Sequence, residues 1–395
     1  MKFKRSQITM IMIVGLLLFI VVSFLLYLSK SSVKKQGQIS LRGVHQTSID
    51  TLPIKNFVTN CVDKLAKESF LILGRQGGYL YRSQGGTLVD YDEENDEGLF
   101  FVRYNGNDVV YNILPPRFES SLYTTKIPNY PWRNFPYSSS GTEVFDGFFG
   151  LNNMPFLYSY QGPHSIQAQI ESYIDNNLED CLGLDYLENQ SYDIEIKKST
   201  TQVIIGSSSL NVKLDLPITI RNQKNKETFE ASKFSSNVDL RLKDIYSYVK
   251  DIIDNDIKNI KFDIANPADP SLRINVIKDI NNKDDIIIIT DGKSLINGNP
   301  FQYVFARKNR APALYHLSPD ALYFSLGSTI NQEDLLSGQQ LKGEDPDEDV
   351  LQFTLKALDF DPELPKTLTQ SETAFRAEVS DGSLKDYQDI VVYTS

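Results

Sequence analysis

The chain has 395 residues and a formal net charge of −11, with 21 tyrosines and 22 phenylalanines but only three histidines and two cysteines. Residues 1–310 balance at 35 acids against 35 bases, while 311–395 carry 16 acids and 5 bases, so the acidity belongs to one C-terminal segment. No basic excess is present to supply a nucleic-acid-binding surface, and the aromatic content is enough for sizeable cores in two or three domains.

Residues 1–7 read as a cytoplasmic N-terminus. Ile8 to Leu28 follow as an uncharged run of 21 residues. At about 1.5 Å per residue such a helix crosses a hydrocarbon core of roughly 30 Å, and no polar stripe marks it as a buried core helix. Lys2, Lys4 and Arg5 precede the run and Lys30, Lys34 and Lys35 follow it, so flanking side-chain charge is tied. The N-terminal amine tips the balance slightly toward N-in. Residues 29–51 are polar and read as a stalk.

An α+β domain is expected over 52–308. Ile54, Val58, Cys61, Val62 and Leu65 fall at helical spacing, in a helix from Leu52 to about Leu73. Gly74-Arg75-Gln76-Gly77-Gly78-Tyr79 trails that helix and leads into a strand-like run, which suits a C-cap and turn better than a phosphate cradle. Gly85 to Gly162 read as loop-rich. Within it Tyr130 to Tyr137 is either an exposed aromatic surface for glycan, peptide or a neighbouring subunit, or, preferred, a loop packing its own aromatics. Ser165 to Leu182 form a second amphipathic helix. Cys61 and Cys181 thus both lie on apolar helix faces and are expected to pair as a disulfide, the alternative being two buried free thiols.

Period-two alternation then predicts antiparallel strands around Ile194–Ile196, Val203–Ile205 and Leu210–Ile220. Val238, Leu242, Ile245, Val249 and Ile252 mark a third helix. Strands follow at Arg273–Ile277, Asp284–Thr290 and Phe301–Ala306, with Asp291-Gly292 as a turn signal. Asn189-Gln190-Ser191 is a glycosylation sequon, with Asn189 the acceptor. From Asn309 the pattern changes to short runs at Leu322–Leu326, Leu351–Leu358, Thr373–Val379 and Ile390–Tyr393, which predict an all-β sandwich over 309–395.

Two resemblances add to this reading. Arg5-Ser6-Gln7-Ile8-Thr9 before the apolar run resembles class III (prepilin- and archaellin-type) signals, with Ser6 where those carry Gly or Ala. Together with the Cys-bearing helix ending in Gly74 to Tyr79 and the later helix ending in Cys181, it resembles membrane-anchored surface proteins of archaea. In the last fifth of the chain, Asn309-Arg310-Ala311-Pro312, Asp345-Pro346-Asp347-Glu348-Asp349, Val379-Ser380-Asp381-Gly382-Ser383-Leu384 and Ile390-Val391-Val392 follow in the order of a cadherin-like or dystroglycan-type immunoglobulin-like repeat.

That second resemblance implies calcium ligands at Asp345 and Asp347, with Asp349 and Asp381 completing the shell where the loops meet. Carboxylates gathered on a turn suit a hard cation that takes six to eight oxygens. The alternative is that these acidic turns are solvated and Asp381-Gly382 is a hairpin turn. Lys308 and Arg310 stand where calcium-binding members carry acids, a departure that opposes a metal.

His45, His164 and His316 stand apart, and no P-loop, G-x-S-x-G, H-E-x-x-H or C-x-x-C pattern occurs, so an enzyme is not the expected class. The expected function is a single-pass surface protein, its bulk extracellular, that binds a protein or glycan or adheres through the cadherin-like domain. One alternative is a pilin-like filament subunit that self-associates through the N-terminal helix. A cell-envelope enzyme of unrecognised type is the other.

Overall fold

The computed structural model describes residues 52–92, 99–116, 130, 132, 135, 147–183, 192–223, 228–266, 272–317, 320–330, 341–358, 366–367 and 372–394. The expected membrane run, the stalk, His45 and Asn189 lie outside these residues. Among the described residues no helix is long and apolar enough to cross a membrane. The described part is β-rich with three α-helices, and residues 50–395 form one compact unit.

Helix α1 (Leu52–Arg75) buries Val58, Val62, Leu65, Phe70 and Leu73, a stripe at three- to five-residue steps that faces the core. It ends against a strand so closely that a Cβ on Gly74 would lie 2.5 Å from the Gln302 carbonyl oxygen. Gly77 and Gly78 then turn the chain at φ +69° and +90°, with the Gly78 amide donating to the Leu73 carbonyl. The glycine-rich segment is therefore a helix-ending turn. Helix α2 (Ile166–Leu182) starts at Ser165, whose hydroxyl accepts from the Ala168 amide, and stops at left-handed Gly183. The two helices pack together and are joined by the Cys61–Cys181 disulfide, with Cα atoms 6.0 Å apart.

Strands β1 (Phe101–Tyr104) and β2 (Asn107–Leu114) form a hairpin, and β3 (Leu151–Asn152) pairs with β2. The expectation of loop over this stretch is corrected here. Asn105 and Gly106 both take positive φ, 48° and 76°, as a two-residue hairpin turn requires. A second sheet holds β4 (Tyr192–Ile196), β5 (Thr200–Ile205), β6 (Leu210–Asn222) and β7 (Thr228–Val238). Long β6 is central: β4 and β5 pair with its successive halves and β7 runs along it.

Val238 ends β7, and helix α3 (Leu242–Asp256) starts four residues later, so Val238 does not belong to the helix as its spacing suggested. The chain then returns to the first sheet with β8 (Arg273–Asn281), β9 (Asp284–Ile296) and β10 (Asn299–Arg307). The strand order is β1-β2-β10-β9-β8, with β10 parallel to β2. Asp291-Gly292 does not end β9. Phe301 pairs with Asp291 and Pro300 with Leu295, so residues 292–294 bulge, and the reversal comes at Asn297-Gly298 (φ 53° and 81°). The Asp291 carboxylate serves instead as acceptor for Arg241, Ser294 and the Lys293 amide.

Beyond Arg307 all regular structure among the described residues is β. Short β11 (Ala313–Leu314) pairs with β14 (Gly343–Glu344), and β13 (Thr329–Ile330) with β16 (Lys366–Thr367). The main sheet runs β12-β18-β17-β15, from β12 (Ala321–Phe324), β18 (Lys385–Thr394), β17 (Glu372–Ser380) and β15 (Gln352–Ala357). Strand β12 pairs parallel with the last strand, β18. Leu314, Leu355, Phe375, Val379, Ile390 and Val392 form its buried core.

Candidate metal centre

The passage from β10 to β11 is a buried joint. Four consecutive side chains, Arg307 to Arg310, are each committed to carboxylates. Arg307 meets Asp256 at 3.0 Å, Asp285 at 2.6 Å and Asp347 at 3.1 Å. Lys308 meets Asp284 at 2.9 Å, and Asn309 Nδ2 donates to Asp381 Oδ2 at 2.9 Å. Arg310 holds Asp347 Oδ1 through Nε and Nη2, at 3.0 and 2.7 Å, and reaches Asp256 at 2.9 Å.

Both guanidinium groups are fully buried. Burial opposes their charge, but the carboxylates around them outweigh it and raise both pKa values. Three acids surround two arginines, so removing one partner would strand buried charge, which is far costlier than losing a surface pair. Aromatics close the joint. Trp132 is buried between Tyr130 and Phe149 with Phe148 stacked on it, and its Nε1 donates to the Ala311 carbonyl at 2.8 Å. Tyr130, Trp132 and Phe135 thus pack inward, in the preferred of the two readings of that segment.

This clamp fixes the Asp345–Asp349 turn. The Arg310 amide donates to Asp347 Oδ2 at 2.7 Å, and Arg310 Nη2 donates to the Pro346 carbonyl at 2.7 Å. Asp347 is therefore consumed as the counter-ion of two arginines. Its neighbours face another way. One carboxylate oxygen from each of Asp345, Asp349 and Asp381 lies within 4.8 Å of the other two. Of the four acids singled out in the sequence, three converge and Asp347 does not join them.

The geometry of the three suits a cation. Asp345 Oδ1 accepts the amides of Asp347 and Asp349, which leaves Oδ2 buried without a partner, as is Asp349 Oδ2. Asp381 Oδ1 accepts the Ser383 and Leu384 amides of the β17–β18 turn, at 2.5 and 2.6 Å. Asp381 is thus both the capping acid of that turn and a member of the cluster. Asn309 donates from Nδ2 to Asp381, and its Oδ1 is buried without a partner.

Burial first, and the Asp347 charge next, push the Asp345 carboxyl up to about 7. Burial likewise pushes Asp349 up to about 6, with Lys283 offsetting part of the effect. Unpaired buried carboxylate oxygens cost several kcal/mol unless protonated or matched by a cation. A hard cation at roughly 2.4 Å from each oxygen spans the observed separations.

Asn309, which donates to Asp381, is the neighbour of the cluster that sequence reasoning missed. It belongs to the Asn309-Arg310-Ala311-Pro312 run, and nothing in that run marks it as turned toward Asp381. Arg310 and Lys308 are paired with Asp347, Asp256 and Asp284, outside the three-aspartate cluster. Of the histidines, His164 bonds Thr87 at 3.1 Å and His316 lies 3.8 Å from Asp386. Neither joins the cluster. No protein-family model matches the chain, and no curated protein sequence does either.

Proposed function

We propose that the chain is a single-pass membrane-anchored surface protein whose C-terminal β-domain, of cadherin-like immunoglobulin type, is a binding or adhesion module stiffened by calcium. The observation that carries this reading is the set of orphaned buried oxygens of Asp345, Asp349 and Asn309 beside Asp381, at the joint between the two parts. A cation there would tie the β17–β18 turn, the Asp345–Asp349 turn and the linker to one centre. Asp345, Asp349 and Asp381 would supply carboxylate oxygens and Asn309 its amide oxygen, ligands that a hard cation prefers. The chain would then present its β-domain on a fixed rather than a swinging arm.

The location rests on two supports. Ile8 to Leu28 are long and apolar enough to anchor the chain, and the Cys61–Cys181 disulfide is of a kind that persists in oxidising compartments. The parallel pairing of β12 with the last strand, β18, closes one edge of the main C-terminal sheet and supports an immunoglobulin-like arrangement. Protease treatment of intact cells tests the location: the reading predicts loss of the 52–395 part while a membrane-held N-terminal fragment survives. Complete protection until the cells are lysed would overturn it.

A further inference from the structure

A second site stands apart from the cation cluster. The 3₁₀ turn Ser159–Gln161 and helix α3 enclose an open groove of about 550 Å³. Its walls are aromatic: Phe156, Tyr158, Tyr160 and Tyr246. Phe156 is 57% and Tyr160 82% exposed, and the Tyr158 and Tyr160 rings stack at 5.5 Å with planes only 12° apart. Grouped aromatic exposure of this kind marks an interaction surface more often than solvent-facing filler.

The charged residues that line the groove are Lys243 and Lys250. Lys250 is held by Asp254, which also accepts Asn152 Nδ2 at 2.8 Å. Among the described residues Lys243 makes no ion pair. With Lys250 balanced by Asp254, Lys243 is the one uncompensated charge that lines the groove, a positive one in a chain of net charge −11. An anionic ligand is favoured there.

Flat rings take an apolar face and wet edges take hydroxyls, because the aromatic body is apolar while Tyr keeps a polar tip. A pyranose has that shape: a C–H face to lie on Tyr160 or Phe156, and hydroxyls at its edge for Ser247. A proline-rich strand would also fit an aromatic groove, but it brings no anion for Lys243. We propose that this groove binds an acidic saccharide, a pyranose chain bearing carboxylates, with the rings as platform and Lys243 as the carboxylate partner.

Calorimetry on the full chain tests this, with EGTA present so that the cation cluster plays no part. The probes are tetragalacturonide, its carboxyl-reduced neutral counterpart and decaproline. The expected result is binding of the uronide, at least about tenfold weaker binding of the neutral sugar, and a loss of about tenfold in Tyr160→Ala. In Lys243→Ala the affinity should fall and lose most of its dependence on salt. Both side chains are exposed, and unchanged melting of each variant would confirm that the fold is kept. Preference for decaproline, equal binding of the neutral sugar, no uronide binding at millimolar concentration, or unchanged affinity in Tyr160→Ala would each overturn the proposal.

Discussion

At the scale of single residues, the joint separates two kinds of aspartate that look alike in sequence. Asp345, Asp347 and Asp349 alternate along one turn, yet Asp347 is spent on Arg307 and Arg310 while the flanking pair keeps free oxygens. That division was not legible, because it depends on where Arg307 at the end of β10 and Arg310 of the linker arrive. The convergence of Asp345 with Asp381 was legible only through the order of the motifs, and Asn309 only as part of a run.

The raised carboxyls give this arrangement a pH signature. Asp345 at about 7 and Asp349 at about 6 lie above the roughly 3.9 of an unfolded aspartate. Between about pH 4 and 7 the folded chain holds protons that the unfolded chain has released, so without a cation these groups lower stability as pH rises. Metal-free wild type should therefore lose more Tm between pH 5 and pH 8 than Asp345→Asn, whose side chain cannot ionise. Differential scanning calorimetry in EGTA reads this directly, and equal losses in the two proteins would contradict it.

Arg310 makes a complementary prediction. Replacing it with Met leaves Asp347 and Asp256 short of a buried partner and should cost about 3–5 kcal/mol in denaturant unfolding. A cost under about 1 kcal/mol would mean that the clamp is relaxed in solution.

At the scale of elements, periodicity located the three helices well, because their apolar stripes are long and continuous. It placed Val238 in the wrong element, since an inward strand residue and an inward helix residue are equally apolar. The β1–β2 hairpin was hidden by the prolines and glycines around it, although Asn105-Gly106 carries the turn chemistry that such a hairpin needs. Strand β7 was missed for a different reason: TFEASKFSSNV is largely polar, and it pairs with β6 through its backbone.

Asp291-Gly292 misled because the dipeptide matches a turn, whereas Arg241 captures the acid inside a bulge. The disulfide was legible from two inward cysteines on two amphipathic helices. Cys61→Ser should destabilise the chain by about 2–5 kcal/mol, read as a shifted urea midpoint, and a midpoint unchanged from the oxidised wild type would contradict a structural role.

At the scale of the whole molecule, the all-β segment is docked rather than strung on a flexible tether. Its linker is buried, its Asp347 answers Arg307 of the body and Arg310 of the linker, and Trp132 from the body holds the Ala311 carbonyl. The composition foretold an acidic C-terminal segment but not that part of this charge is turned inward to meet Arg307 and Arg310. With the arginines satisfied by Asp347, Asp256 and Asp285, the remaining acids at the joint, Asp345, Asp349 and Asp381, are grouped closely enough to hold a cation.

Calcium titration of the EGTA-stripped full chain at pH 7.5, followed by calorimetry and by the melting temperature, is the direct test. We expect one saturable site per chain and a raised Tm, with both effects lost in Asp345→Asn and Asp381→Asn but retained in the distant surface variant Tyr160→Ala. Absence of binding heat with an unchanged melting curve in wild type would contradict the account.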